Sequence, residues 1–196
     1  NANFQRVLDS LGGALGGAFV PLQLPIGSQA SFEGIIDLIA MKARKGAKGE
    51  LTDIPANLKA DAEEARVKLM EAAAEGDDEL IMKYLDGQEL TVDEIKHGLR
   101  LAIAKGALVP VLCSAGAANL GVSALLDTIV AFAPSPADVG PETAKNTHTQ
   151  ADVSVSPDPA GPLGALVFKT TADPFVGKQT FFRVFSGTIS SDSRVF

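Results

Sequence analysis

Leu108-Val-Pro-Val-Leu-Cys-Ser-Ala-Gly-Ala-Ala-Asn-Leu-Gly-Val-Ser-Ala-Leu-Leu-Asp-Thr-Ile-Val-Ala-Phe-Ala133 is the stretch whose reading decides the fold. Leu108 to Cys113 is a continuous apolar run of the length and kind found in strands buried on both faces of an α/β sheet. Ser114-Ala115-Gly116 supplies a turn, and Val122, Leu125, Leu126, Ile129 and Ala133 then mark one face of a returning helix. Ligands of α/β sheets sit at the carboxyl ends of strands, where a Ser-Ala-Gly turn offers backbone amides with little side-chain obstruction. Such a turn suits a planar, oxygen-bearing group such as a purine base; an ordinary tight βα turn accounts for the same residues.

Upstream the pattern is helical. Thr91-Val92-Asp93-Glu94 has the form of a capping box, followed by a helix that should bury Ile95, Leu99, Ala102 and Ile103 before stopping at Gly106. Asp77 is placed to cap a short helix burying Leu80, Ile81, Tyr84 and Leu85, ended by Gly87. After Pro55 the longest helix puts Leu58, Ala62, Ala65, Leu69, Ala72 and Ala73 on one face, with Glu63, Glu64, Arg66, Lys68, Glu71 and Glu75 elsewhere. Ala18–Leu24 and Phe32–Ala43 read as two strands around Pro25, Gly27 and Ser28, and Lys42, Arg44, Lys45 and Lys48 as the basic tip of a hairpin or loop. The chain opens inside a helical pattern of Phe4, Val7, Leu8 and Leu11, stopped by Gly12 and Gly13, so an upstream portion is expected to be missing.

Downstream, Pro134 to Pro162 has no apolar period and is rich in turn residues, which predicts a linker over 134–160, or a long surface loop. Leu163–Thr171 and Gln179–Ile189 read as strands joined at Asp173-Pro174, with a turn at Ser186-Gly187 and a further strand reaching Val195-Phe196. Two strands are marginal alone, which makes 161–196 the incomplete start of a β domain.

Composition narrows the function classes. In 196 residues, 46% apolar content allows a packed core, and the net charge of −7 argues against wrapping nucleic acid. From Glu50 to His97 there are 14 acidic and 5 basic side chains, so the acidity is concentrated in the helical part. No apolar run is read as long enough to cross a bilayer and no signal-peptide pattern opens the chain, which points to a cytoplasmic protein that does not engage membranes. One cysteine, Cys113, and two distant histidines give no zinc ligand set.

Other chemistries fail on spacing. Val176-Gly177-Lys178 resembles the end of a P-loop, but Ala172 stands where the first glycine belongs and Gln179 where Ser or Thr must hold magnesium. Gly12 to Gly17 precedes a strand, the wrong order for a dinucleotide loop, and reads as a turn. Asp86-Gly87 with Asp93 and Glu94 lacks the earlier oxygen ligands of a calcium loop. His97 and His148 have no nucleophile or carboxylate that the sequence places beside them. Cys113 at the end of a buried strand reads as a small core residue.

A resemblance runs along nearly the whole chain. Asn3-Phe4 with Val7, Val20-Pro-Leu-Gln-Leu-Pro-Ile-Gly27, Gly34-Ile-Ile-Asp-Leu38, Ile54-Pro55, Leu90-Thr91 with Glu94-Ile95, Pro110-Val-Leu-Cys113, Gly121-Val122 with Leu125-Leu-Asp127, Pro134-Ser-Pro136 and Asp173-Pro-Phe-Val-Gly-Lys178 through Thr180-Phe-Phe-Arg-Val184 to Ser186-Gly187-Thr188 together resemble the elongation factor G family of translational GTPases. The resemblance implies an α/β fold: residues 1–133 are the C-terminal part of a P-loop GTPase domain carrying an α+β insert over about 18–106, and a β-barrel domain begins at 161. It implies a ribosome-dependent GTPase promoting translocation, or a paralogue acting in ribosome recycling or protection. A free-standing acidic protein-binding module is the alternative from another class.

The family's P-loop, switch regions and Asn-Lys-x-Asp motif would lie upstream, so GTP or GDP with magnesium is expected for the full-length parent, and neither cofactor, metal nor catalytic residue for this segment. What carries over is the base-contacting turn, here Ser114, Ala115 and Gly116, shifted by one place from the family's Gly-Ser-Ala and followed by Ala117-Ala118-Asn119-Leu120 in place of Phe-Lys-Asn-Lys. The acidic helix matches the part of the insert that receives the ribosomal stalk protein. Glu64, Val67, Met70, Glu71, Ala74 and Glu75 are the residues expected to form that surface, apolar stripe beside acidic rim. The ribosome and the parent's remaining domains are the other implied partners.

Overall fold

A computed structural model describes residues 2–194, a mixed helix and sheet chain that divides at Ala133/Pro134 into two compact units. In the first unit, α1 (Phe4–Leu15) begins at an Asn3 cap whose Oδ1 accepts the Arg6 amide, 2.9 Å. The helix continues through Gly12 and Gly13, where a stop was expected, and ends at Gly16 and Gly17, both at positive φ. Leu15 continues the helical apolar period, so two interior glycines, costing about 1 kcal/mol each, do not end it.

The expected strand Ala18–Leu24 is two strands in two sheets. β1 (Ala18–Pro21) pairs in parallel with β6 (Leu108–Val111), while β2 (Gln23–Ile26) opens an antiparallel sheet of β2, β3 (Gly34–Asp37), β4 (Lys42–Lys45) and β5 (Glu50–Thr52) in that order. Leu22, 2% exposed, is the pivot between them, its amide donating to Val111 O. The segment between the two parallel strands thus runs from Leu22 to Ala107.

The predicted strand Phe32–Ala43 breaks at a turn over Leu38–Met41. Asp37 Oδ1 accepts the Ile39 and Ala40 amides, Arg66 Nη1 donates to the Leu38 and Ile39 carbonyls at 2.6 and 2.7 Å, and Met41 takes φ 51. An apolar run with a turn-forming aspartate inside it cannot be separated from a strand by periodicity alone. The basic tip is the β4–β5 hairpin: Lys42 pairs with Asp53, Arg44 with Asp37 and Asp127, and Lys45 with Glu33, with the turn Gly46–Gly49 at its end.

Three helices, α2 (Lys59–Ala74), α3 (Asp78–Leu85) and α4 (Val92–Ala104), cover one face of this sheet. Both predicted caps form: Asp77 Oδ1 accepts the Glu79 and Leu80 amides, and the Thr91–Glu94 box closes in both directions. Leu85, expected inside, is 74% exposed because α3 has only two turns and Leu80 takes the core position. Leu69, Ala73, Ile95 and Leu99 are fully buried where α2 and α4 cross. That approach is set by two glycines: a Cβ on Gly98 would lie 2.0 Å from Ala73 O, and one on Gly76 2.2 Å from Gly98 O.

After β6 comes α5 (Val122–Phe132). Its buried side is Ala124 and Phe132, with Thr128 and Ala131 partly covered; of the predicted face Val122 and Leu125 are half-buried, whereas Leu126 is 57% and Ile129 51% exposed and Ala133 is exposed. An almost wholly apolar helix carries no phase for periodicity to read. Val122–Val139 also reaches a mean hydropathy of 1.2 over 18 residues, enough by length and composition to cross a membrane, against the sequence reading. The α-helix within it stops at Phe132, where Ala133 turns extended, and its face carries Asp127 bonded to Arg44.

The second unit corrects the expected linker. A short helix α6 (Pro136–Val139) is followed by a hairpin of β7 (Glu142–Lys145) and β8 (Asp152–Val155), whose turn is fixed by Asn146 Oδ1 accepting the His148 and Thr149 amides. Polar strands closed by an Asx turn leave no apolar period. β9 (Gly164–Asp173) and β10 (Gly177–Ser186) form a long antiparallel ribbon with a bulge between Phe181 and Phe182. No strand follows the turn at Gly187 up to Arg194; Val195-Phe196 lie outside the described residues.

Gly98→Ala tests the helix crossing. Helix propensity alone would make alanine about 1 kcal/mol more stable there. We expect the opposite sign, a loss of about 2 kcal/mol or more from overpacking, measured by urea unfolding, because backbone rather than a flexible side chain fills the space.

Candidate functional site

The loop after β6 is longer than the tight turn the sequence suggests. Ala115 and Leu120 form a two-way bridge, Ala115 N to Leu120 O at 2.9 Å and Leu120 N to Ala115 O at 3.2 Å, enclosing one turn of 3-10 helix over Gly116–Ala118. Asn119 sits in the left-handed region at φ 54 and Gly121, at φ 71, starts α5. Only glycine suits that last position, since a Cβ would lie 2.4 Å from Cys113 O.

Of the three residues expected to face a base, Ala115 therefore spends its amide inside the loop. The Ser114 and Gly116 amides have no hydrogen-bond partner among the described residues, and both residues are exposed. Two unengaged amides two residues apart at the carboxyl end of a parallel strand can donate to a carbonyl oxygen of a flat ligand.

The loop is anchored from beneath by groups that sequence reading missed. Gln23, 3% exposed, reaches from β2 to accept the Cys113 amide on Oε1 at 3.2 Å, and its own carbonyl lies 3.8 Å from Cys113 Sγ. Ile35, Cys113 and Ala124 form a small separate core with Phe4 and Phe32 against it. Burial pushes the Cys113 thiol up to about 12, so it is held as a neutral thiol. Arg44 bridges β4 to α5 through Asp127 at 3.2 Å, and its buried Nε has no partner among the described residues. That group lines a pocket of about 250 Å³ together with Gln23, Asp37, Lys96 and Thr128.

The six residues expected to form the acidic partner surface are not brought together. Ala74 is 1% exposed and offers nothing to a partner. Glu64 stands on the rim of a cleft of about 590 Å³ between α1 and α2, lined by Phe4, Leu8, Phe19 and Leu24, where it bonds Lys68 at 2.7 Å. That bond lowers the Glu64 carboxyl below its ordinary range.

Val67 and Met70 lie on the other side of α2, in a cleft of about 400 Å³ whose far wall is Tyr84 and Leu90 and whose rim carries Glu63 and Glu89. Glu71, exposed, accepts from the Tyr84 hydroxyl at 3.1 Å, and Glu75 is exposed beyond it. Burial, with this carboxylate second, raises the Tyr84 hydroxyl above its usual value. The far wall is held by Lys83, which bonds both oxygens of Glu94 at 2.7 and 2.8 Å. His97 Nε2 lies 3.8 Å from Asp77 Oδ2, and no group of acidic, histidine or cysteine side chains among the described residues is arranged to hold a metal ion.

Two groups in this region give measurable consequences. Cys113 should resist a thiol reagent at pH 8 in the folded protein and react only at the rate of unfolding, since both access and thiolate are withheld. Glu94 is lowered to about 2, first by Lys83 and then by the Thr91 amide and hydroxyl. Its folded value lies below its ordinary 4.5, so its stabilisation is complete above pH 4.5 and is lost as pH falls towards 2. The stability difference between wild type and Glu94→Gln should accordingly be constant at pH 6 and close between pH 4.5 and 2.

No family model matches the chain. Among solved structures, the crystal structure of a protein from Thermus thermophilus is similar to it, with a TM-score of 0.73 and 27% identity over 95% of this chain. The matched region is 26% of that protein, so this chain spans about a quarter of its length and shares its fold through both units.

Proposed function

We propose that this chain is part of a ribosome-dependent GTPase of the elongation factor G type, promoting translocation in protein synthesis in the cytoplasm. The observation that carries the reading is the order of parts: two parallel strands, β1 and β6, separated by an entire α+β insert, a βα loop with two unengaged amides, and then an antiparallel β unit. This is the order in which the resembling segments run in the family. In this reading residues 1–133 close a GTPase domain, the second unit opens a β-barrel, and the parent's missing parts bind GTP or GDP with magnesium.

Within the chain, Ser114 and Gly116 donate to the guanine carbonyl, and Ala115 acts by holding the loop shut. The cleft lined by Val67, Met70, Tyr84 and Leu90, with Glu63, Glu71 and Glu89 around it, receives the C-terminal domain of the ribosomal stalk protein. An apolar floor with an acidic rim suits a partly apolar, basic partner, and the charges mainly raise the encounter rate.

Calorimetry separates the parts of this proposal. The chain alone should give no heat with GDP, whereas a longer polypeptide that contains it together with a P-loop should bind; failure of that longer polypeptide favours a free-standing acidic binding module. The purified stalk domain should bind this chain more weakly as salt rises. Glu71→Lys with Met70→Ala should weaken it at least tenfold, and unchanged affinity would reject the cleft.

A further inference from the structure

The four-stranded sheet grips the loop after β6 at several points that the base reading does not use. Gln23 Oε1, on β2, accepts the amide of Cys113, the residue before the loop. From the β4–β5 turn, Ala47 O accepts Asn119 Nδ2 at 3.4 Å, and Gly49 lies so near α5 that an added Cβ would stand 3.0 Å from Ser123 Oγ. Ile35 of β3 packs on Cys113 from below, and a Cβ on Gly121 would be 3.4 Å from its Cγ2. Both ends of the loop, and Asn119 near its left-handed corner, are thus tied to the insert rather than to neighbouring strands of the parallel sheet.

We propose that the insert sheet sets the shape of the 114–121 loop, with Gln23 and Asn119 as positioning residues that hold the Ser114 and Gly116 amides at a fixed spacing. The inference rests on the base-contacting reading for its functional meaning and on the contacts alone for its mechanics. Gln23 fits the task because a buried amide side chain has one orientation that satisfies the Cys113 N–H, and losing it leaves a buried donor unpaired. Asn119 fits because it tolerates the left-handed backbone while its side chain reaches the turn. A force on the Gly46–Gly49 turn then reaches the loop through Ala47 and Asn119, which makes the insert a regulator of base affinity.

Amide hydrogen exchange on the whole chain tests the mechanics without any nucleotide. The informative amides are Ala115 and Leu120, which close the loop and touch neither Gln23 nor Ala47. With Gln23→Met, an apolar side chain of similar length, their exchange should quicken at least tenfold while the amides of Leu69 and Leu99 change less than threefold. Asn119→Gly, which keeps the left-handed backbone and removes the reach to Ala47, should do the same and decides the matter should Gln23→Met not fold. Unchanged Ala115 and Leu120, or an equal rise in α2 and α4, would overturn the proposal. In a longer polypeptide that binds GDP, Gln23→Met should raise the Kd for GDP at least fivefold; a longer wild-type polypeptide that does not bind GDP sinks the base reading and leaves the exchange result to be judged by itself.

Discussion

Ile35 and Ile36 are neighbours on β3, point to opposite faces of one strand, and are both fully buried. This double burial is the constraint on which the first unit depends. Ile36 belongs to the large core under α2, α3 and α4, and Ile35 to the small core with Cys113 and Ala124 under the loop after β6. A strand covered on both sides cannot slip its register by one residue without exchanging the two faces, so the helical layer and the βα layer are locked to a common frame. Gly34 makes the lock tighter, since a Cβ there would meet Arg44 O at 2.2 Å and force β3 and β4 apart.

The polar contacts reinforce the frame without driving it. Arg44–Asp127 and Lys83–Glu94 are partly exposed pairs of the kind worth little singly. Gln23 differs because it is buried, and the unpaired Nε of Arg44 marks where satisfaction of the polar groups stops short. These two residues come from strands of one sheet and line the same pocket, so the region between sheet and α5 is where polar groups have been enclosed against their preference for water.

What the sequence made legible were features with a local cause. The Asp77 cap and the Thr91–Glu94 box need only three or four residues to satisfy orphan amides, and both formed where the spacing put them. The face of α2 was readable because several charged residues interrupt it, whereas α5 has one, Asp127, which is drawn to Arg44 of the sheet, and turned Leu126 and Ile129 outward. The close contact of Gly98 with Ala73 O depends on two helices meeting, and the division of Ala18–Leu24 between two sheets depends on a partner strand roughly ninety residues away. Of the candidate site, the loop's position at the strand end was legible; the closure of Ala115 on Leu120 and the reach of Gln23 were not, because both are long-range or set by backbone angles that side-chain types do not report.

The second unit shows the same physics from the other side. Its only buried described residue is Ser186, while Phe168, Phe175, Val176 and Phe182 on or beside the β9–β10 ribbon stand 65%, 96%, 70% and 45% exposed. The ribbon's local interactions are complete: Asp173 Oδ1 takes the Phe175 and Val176 amides, Lys169 lies over the Phe181 ring and Arg183 over Phe185. Those contacts shape a hairpin, but contacts of about 1 kcal/mol or less cannot offset the ordering of two ten-residue strands. Apolar side chains on both faces of a two-stranded ribbon therefore describe a surface that a larger sheet would bury. The first unit keeps its frame by enclosing one strand completely, and the second unit has the strand pattern of such a core without its cover.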